Sequence, residues 1–233
     1  MKSLCYLNQA DCFPSAHKAL TEPNGLLAVG GDLQPERLLS AYQQGIFPWF
    51  NQGEPILWWT PDPRAIFIIE DYRPSRSLMK TLKRQQWRFT INHAFDSVIH
   101  QCAALRQEGT WISPAIKAAY SQLHAQGDAH SIEVWQGELL IGGLYGIAVG
   151  RVFCGESMFH LKTDASKAAF HVLVTHLRQF EFTLIDAQVM NPHLARLGAQ
   201  SLPREAFLTQ LAQLKHHLSP ASAWHAQEVK LEY

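Results

Sequence analysis

The run Val152–Phe159 places one carboxylate, Glu156, inside an apolar stretch with strand-like composition. Side chains alternate along a strand, so Cys154, Glu156 and Met158 are expected on one face and Phe153, Gly155, Ser157 and Phe159 on the other. A carboxylate among apolar groups is costly unless something pairs with it. A second polar insertion follows in Phe182–Met190, where Asp186 and Gln188 again share one face of an expected strand. Asp186 beside Gln188 has the chemistry to orient and deprotonate an amine, and Glu156 to hold a cationic group. The plain alternative for each acid is a buried carboxylate that caps a loop or pairs with an arginine.

Three further patterns accompany them. In the predicted helix Ser75–Gln85, Arg76, Lys80, Lys83 and Arg84 fall on one face, opposite Leu78 and Leu82. Cations without interleaved acids suit a phosphate backbone, although such a row is often only a solvated face. Trp49, Trp58 and Trp59 lie in a proline-stiffened segment and Trp111 just before a helix cap. Exposed rings of this kind stack on unpaired bases, whereas Trp58 and Trp59 read better as core. Phe170, Leu173, Val174 and Leu177 form a helical stripe; with Leu144, Phe153, Met158 and Ile185 they would line either a hydrophobic pocket or ordinary core.

The elements that must position these groups divide near Pro61–Pro63. Residues 1–62 are rich in proline and glycine and carry one clear helix, Pro35–Gln44, with Asp32 as expected cap and Gly45 as stop. Beyond it, strands are predicted at Ala65–Glu70 and Arg88–Asn92. Helices are predicted at Ser75–Gln85, Ala94–Arg106 and from Pro114, capped by Ser113, to Gly127. Strands Ser131–Gln136, Leu139–Val149 and Val152–Phe159 are separated by short turns and should pair antiparallel. A helix from Asp164 to Phe180 then leads to strand Thr183–Met190, expected parallel to its neighbour because a crossover precedes it. Helices Pro192–Leu197 and Arg204–Leu214 close the chain. The pattern predicts a mixed α/β sheet, with a small turn-rich domain (1–62) and a larger one (63–233).

Composition narrows the partners. Lys+Arg and Asp+Glu number 20 each, so no global field attracts a polyanion, and a nucleic-acid site must be a local patch. The four cysteines show no Cys-x-x-Cys spacing and no leader precedes them, which reads as reduced thiols of a soluble, cytoplasmic protein. No stretch matches a membrane span. The twelve histidines contain no His-Glu-x-x-His, and no metal is assigned.

Nine stretches together resemble one family, the bacterial leucyl/phenylalanyl-tRNA–protein transferases. They are Glu22-Pro-Asn-Gly-Leu-Leu, Gly30-Gly-Asp-Leu, Gly45-Ile-Phe-Pro-Trp-Phe, Ile56-Leu-Trp-Trp-Thr-Pro-Asp-Pro-Arg, Glu108-Gly-Thr-Trp-Ile, Ala129-His-Ser-Ile-Glu-Val-Trp, Cys154-Gly-Glu-Ser-Met-Phe, Ala165-Ser-Lys and Leu184-Ile-Asp-Ala-Gln. The resemblance implies a GNAT-like acyltransferase domain behind a small N-terminal domain. It implies transfer of Leu or Phe, less well Met, from aminoacyl-tRNA to proteins beginning with Arg or Lys, marking them for N-end rule degradation. No cofactor is implied, since the aminoacyl ester is already activated, and a monomer is expected.

Carried onto this sequence, the resemblance implies that Trp49 and Trp111, with Tyr120 nearby, hold the terminal adenosine. Leu144, Phe153, Met158, Phe170, Leu173, Leu177 and Ile185 would form the aminoacyl pocket, and Arg76, Lys80, Lys83 and Arg84 would hold the acceptor stem. Asp186 and Gln188 would act on the amine, with Glu156 placing substrates. Two residues depart from the family pattern: Lys80 stands where Arg is expected and Leu144 where Met is usual. Two rival readings stay open, an acyl-CoA-dependent N-acyltransferase and a non-catalytic binder of tRNA 3′ ends. The first lacks a glycine-rich pyrophosphate loop at His160–Ser166, and the second leaves the acidic residues unexplained.

Overall fold

The structure, a computed structural model, describes residues 4–105, 110–217 and 219–231. The N-terminal part holds β1 (Cys5–Leu7), β2 (Leu26–Gly30), α1 (Pro35–Tyr42), β3 (Phe47–Pro48) and β4 (Leu57–Trp59). Its strands form a four-stranded sheet in the order β1-β2-β4-β3. The sequence showed none of these strands, because runs of two to five residues broken by prolines are too short to display alternation. The expected cap of α1 is corrected: Gln34 occupies the cap position without a side-chain bond. Asp32 instead accepts the Gln34 amide at 3.0 Å and pairs with Arg37 at 3.2 Å.

The remainder is β5 (Arg64–Ile68), α2 (Arg76–Gln85), β6 (Arg88–Ile91), α3 (Phe95–Ala104), α4 (Pro114–Gln126), β7 (Ala129–Gln136), β8 (Leu139–Val149), β9 (Val152–His160), α5 (Ala165–Gln179), β10 (Leu184–Gln188), α6 (Pro192–Leu197), β11 (Gln200–Leu202), α7 (Arg204–Leu214) and β12 (Gln227–Val229). These strands form one eight-stranded sheet, β11-β5-β10-β9-β8-β7-β6-β12. As expected, β7, β8 and β9 run antiparallel and β10 lies parallel to β9 after the crossover through α5. The fold is thus mixed α/β. The expected end of the third helix, Arg106, and the start of the Glu108–Ile112 stretch lie outside the described residues.

Helices cover both faces of the large sheet. On one face, α2 and α5 enclose a core that includes Leu82, Leu144, Phe153, Phe170, Leu173 and Ile185. On the other, α3 and α4 share a core with α1 and the small sheet, including Tyr42, Trp58, Tyr120, Tyr145 and Cys154. Ser113 caps α4 through its hydroxyl and Gly127 ends it at φ 88°. Glu133, fully buried on β7, accepts from the Ser131 and Thr90 hydroxyls and the amides of His93 and Ala94 at the start of α3.

Two irregularities matter for function. On β9, Gly155 pairs with Gly146 and Ser157 with Tyr145, leaving Glu156 as an extra residue. On β10, Asp186 pairs with Ile66 and Gln188 with Ala65, leaving Ala187 as the extra one. Bulges of this kind re-aim the side chains that follow them. Strict alternation is therefore corrected: Cys154 packs on the α3–α4 face while Phe153 and Met158 pack together on the α5 face.

A candidate active site between two bulged strands

The bulges and the parting of β9 from β10 open a cavity of about 360 Å³ at the end of the paired region. Its wall includes Leu144, Phe153, Met158, Phe170, Leu173 and Ile185, and its rim Trp49, Trp111, Gln188, Val189, Asn191 and His193. The sequence-derived pocket residues thus meet in one place, except Val174 and Leu177. Both are fully buried in the core and do not reach the cavity wall. Two apolar side chains of the rim are exposed, Trp49 47% and Val189 45% accessible. Trp49 leans on Trp59 at 5.8 Å between ring centroids, and the Trp59 indole N–H donates to the Trp49 carbonyl at 2.7 Å. Trp58 is wholly buried, as the core reading expected.

Glu156 is the one carboxylate among the described residues that line this cavity. Its Oε1 accepts from the Tyr42 hydroxyl at 2.7 Å and from the Gln188 side-chain amide at 2.7 Å. Its Oε2 lies 3.2 Å from the Tyr120 hydroxyl, and Tyr42 and Tyr120 also bond to each other, so two phenol protons are shared over three contacts. Burial pushes the Glu156 carboxyl up to about 7, against the opposing pull of its three donors; the Asp186 charge adds a smaller push in the same direction. Burial, then the Glu156 charge, also raises both tyrosines well above the usual phenol range, so both remain donors.

Asp186 sits differently. It is 1% exposed, and both oxygens face Arg64, itself fully buried: Nε to Oδ1 and Nη2 to Oδ2, each at 2.7 Å. Oδ1 also accepts the backbone N–H of Gln188 at 2.9 Å. Gln188 has φ 62°, the left-handed region that its neighbours must enforce on a residue with a Cβ. Asp186 and Gln188 therefore point to different places despite their spacing: Asp186 turns into the core toward Arg64, and Gln188 turns onto Glu156 at the cavity.

Tyr120, associated by resemblance with the adenosine rings, is fully buried behind Glu156 and is not part of the cavity wall. Arg76, Lys80, Lys83 and Arg84 are all exposed along α2, with Leu78 and Leu82 buried beneath them. Sequence reasoning gave no role to Tyr42 or Arg64. Tyr42 falls on the apolar face of α1 with Leu38 and Ala41 and looks like a core aromatic. Arg64 stood within the quoted Ile56–Arg64 stretch, and no local pattern shows a partner 122 residues away. Among the described residues no group of three or more His, Cys, Asp or Glu is placed to hold a metal ion, and no helix is long and apolar enough to cross a membrane.

Comparison with known proteins decides the family. The leucyl/phenylalanyl-tRNA protein transferase family matches residues 66–212, and its N-terminal domain matches residues 31–62. The chain belongs to the leucyl/phenylalanyl-tRNA protein transferase family. It is 88% identical over all of both chains to the leucyl/phenylalanyl-tRNA--protein transferase of Shewanella denitrificans, and 61% identical to that of Shewanella frigidimarina, again over the whole of each chain. This leucyl/phenylalanyl-tRNA protein transferase family member is an enzyme, an aminoacyltransferase. Among solved structures, L-PGS from Bacillus licheniformis superposes with a TM-score of 0.41 at 11% identity, over 71% of this chain and 54% of that one, too distant to add to the fold described above.

Proposed function

We propose that this transferase moves Leu or Phe, and less well Met, from aminoacyl-tRNA to the α-amino group of proteins beginning with Arg or Lys, marking them for N-end rule degradation. The observation that carries this reading is Glu156: one carboxylate, raised to about 7, at the boundary between an apolar cavity and an aromatic rim. The cavity accepts an unbranched or γ-branched side chain and rejects charged ones by their desolvation cost. Trp49 and Trp111 at the rim take the terminal adenosine, where stacking contributes ~1–3 kcal/mol per base. The exposed cations of α2 take backbone phosphates without reading sequence. Glu156, the one carboxylate among the described residues that line the cavity, favours a cationic protein N-terminus.

In this reading the ionised Glu156 takes a proton from the acceptor's ammonium. The freed amine attacks the ester carbonyl and a C–N bond forms. The tetrahedral species then breaks its bond to the ribose oxygen, which takes up a second proton from the same nitrogen, and Glu156 returns its proton to solvent. Alignment of amine and ester supplies much of the acceleration. Gln188 holds the Glu156 carboxylate by a neutral hydrogen bond. Asp186, with both oxygens engaged by Arg64, acts by positioning Gln188.

Incubation with labelled Leu-tRNA and peptides beginning with Arg, Lys or Ala tests the proposal. Label is expected on the Arg and Lys peptides and not on the Ala peptide. Binding of the tRNA without transfer contradicts it, and so does transfer from an acyl thioester alone.

A further inference from the structure

Arg64 is wholly buried between the rings of Phe47 and Phe207, with its guanidinium carbon 4.8 Å from each centroid. Its Nη1 has no hydrogen-bond partner among the described residues. A buried ion pair is weak evidence for stability, because desolvation offsets most of its attraction. What a two-pronged pair does provide is direction, since two parallel bonds fix the plane of the carboxylate.

We infer that Arg64 is a positioning residue for the transfer reaction: its grip on both Asp186 oxygens holds the β10 bulge that aims Gln188 at Glu156. The chain of contacts is continuous. Arg64 Nε and the Gln188 backbone N–H share Asp186 Oδ1, at 2.7 and 2.9 Å. That second bond holds Gln188 at φ 62°. From there its side-chain amide reaches Glu156 Oε1 at 2.7 Å. A carboxylate free to rotate about its χ angles would release the Gln188 amide. Lysine at position 64 would supply the charge but not the fork. Phe47, one of the two flanking rings, also lines the cavity, so the clamp is built into the wall beside the reacting groups.

The inference rests on the proposal that ionised Glu156 takes the amine's proton, and the test separates the two. The groups facing Glu156 are Tyr42 from α1, Tyr120 from α4, and Asp186 and Gln188 from β10, with Cys154 on its own strand; His193 from α6 lines the same cavity. Losing the Gln188 bond removes one influence that lowers the Glu156 carboxyl, so the acid limb of the rate profile must move to higher pH.

The experiment compares Arg64→Lys, Gln188→Ala and the double variant. Arg64→Lys is expected to cut kcat about tenfold, with KM for aminoacyl-tRNA changed less than about twofold. It should move the acid limb upward as Gln188→Ala does, and the double variant should move it no further. The Gln188 side-chain amide NMR resonance, identified by its absence in Gln188→Ala, should shift in Arg64→Lys whatever group takes the proton. If Arg64→Lys does not fold, Arg64→Met with Asp186→Leu removes both charges together and must show the same amide shift, with a smaller upward limb shift because the Asp186 charge that helped raise Glu156 is gone. The inference is overturned if the limb and the Gln188 resonance stay in place while activity falls only with melting temperature, or if the two single shifts add. Should Glu156→Gln leave the wild-type acid limb intact, the proton-acceptor proposal fails instead, and the Gln188 resonance alone decides Arg64.

Discussion

The two carboxylates on the adjoining strands β9 and β10 lie in one network yet have opposite environments. Asp186 is sealed in the core and paired with a permanent cation through both oxygens. Glu156 opens onto the cavity and, among the described residues, is held by neutral donors, two phenols and an amide. A charged partner fixes a carboxylate in place, whereas neutral donors in a low-dielectric pocket leave it able to change protonation state. The difference separates a group that holds geometry from one suited to moving a proton.

Exchanging the acid that moves the proton should have the largest effect. Glu156→Gln keeps the side-chain shape and one of its two acceptor oxygens and should slow transfer by about 10²–10⁴-fold with little change in aminoacyl-tRNA affinity, measured by single-turnover kinetics and filter binding. The same change should make the fold more stable in alkali. The native carboxyl titrates near 7, whereas an unfolded glutamate titrates near about 4.3. Native protein therefore binds this proton more tightly. The stability it confers is fully present below the unfolded value and is lost as pH rises through 7. Melting curves of Glu156→Gln should exceed wild type at pH 8, and the gap should close toward pH 5.

Exchanging the clamped acid should cost the fold itself. Asp186→Ala strands a buried guanidinium and should destabilise the protein by about 3–5 kcal/mol, read from denaturant titration. A loss below about 1 kcal/mol would mean the pair is not desolvated as its burial indicates. At the rim, Trp111→Ala should weaken aminoacyl-tRNA binding by about 1–3 kcal/mol. Unchanged affinity would return that ring to the core. Tyr42→Phe removes one donor from Glu156 and should raise the acid limb by less than about one pH unit while leaving the fold intact. Least in effect, replacing Lys83 and Arg84 by Ala should flatten the slope of log affinity against log salt by about 2. An unchanged slope would make the α2 face a merely solvated one.

The long elements were legible because their periodicity extends over whole turns: α4 between Ser113 and Gly127, α5, and the β7–β8–β9 meander. The small sheet and the edge strands β11 and β12 were not, since two to five residues carry no usable period. The apolar pocket was legible as a set of residue types on one helix face and three strands. The division of labour between the acids was not. Spacing put Asp186 and Gln188 on one side, but one extra residue, Ala187, sends the first to Arg64 and the second to Glu156. An alternation rule has no means to register a single inserted residue. Tyr42 and Arg64 were hidden for another reason: each acts across the fold, 114 and 122 residues from its partner.

The pH dependence of single-turnover transfer, compared between wild type and Glu156→Gln at saturating tRNA and peptide, tests the central claim most directly. Wild type should show an acid limb near 7, set by Glu156. The variant should lose that limb together with most of its rate, keeping only the titration of the acceptor's own amine near about 8. A variant that transfers at close to the wild-type rate, with the limb near 7 still present, would contradict the assignment of the proton to Glu156.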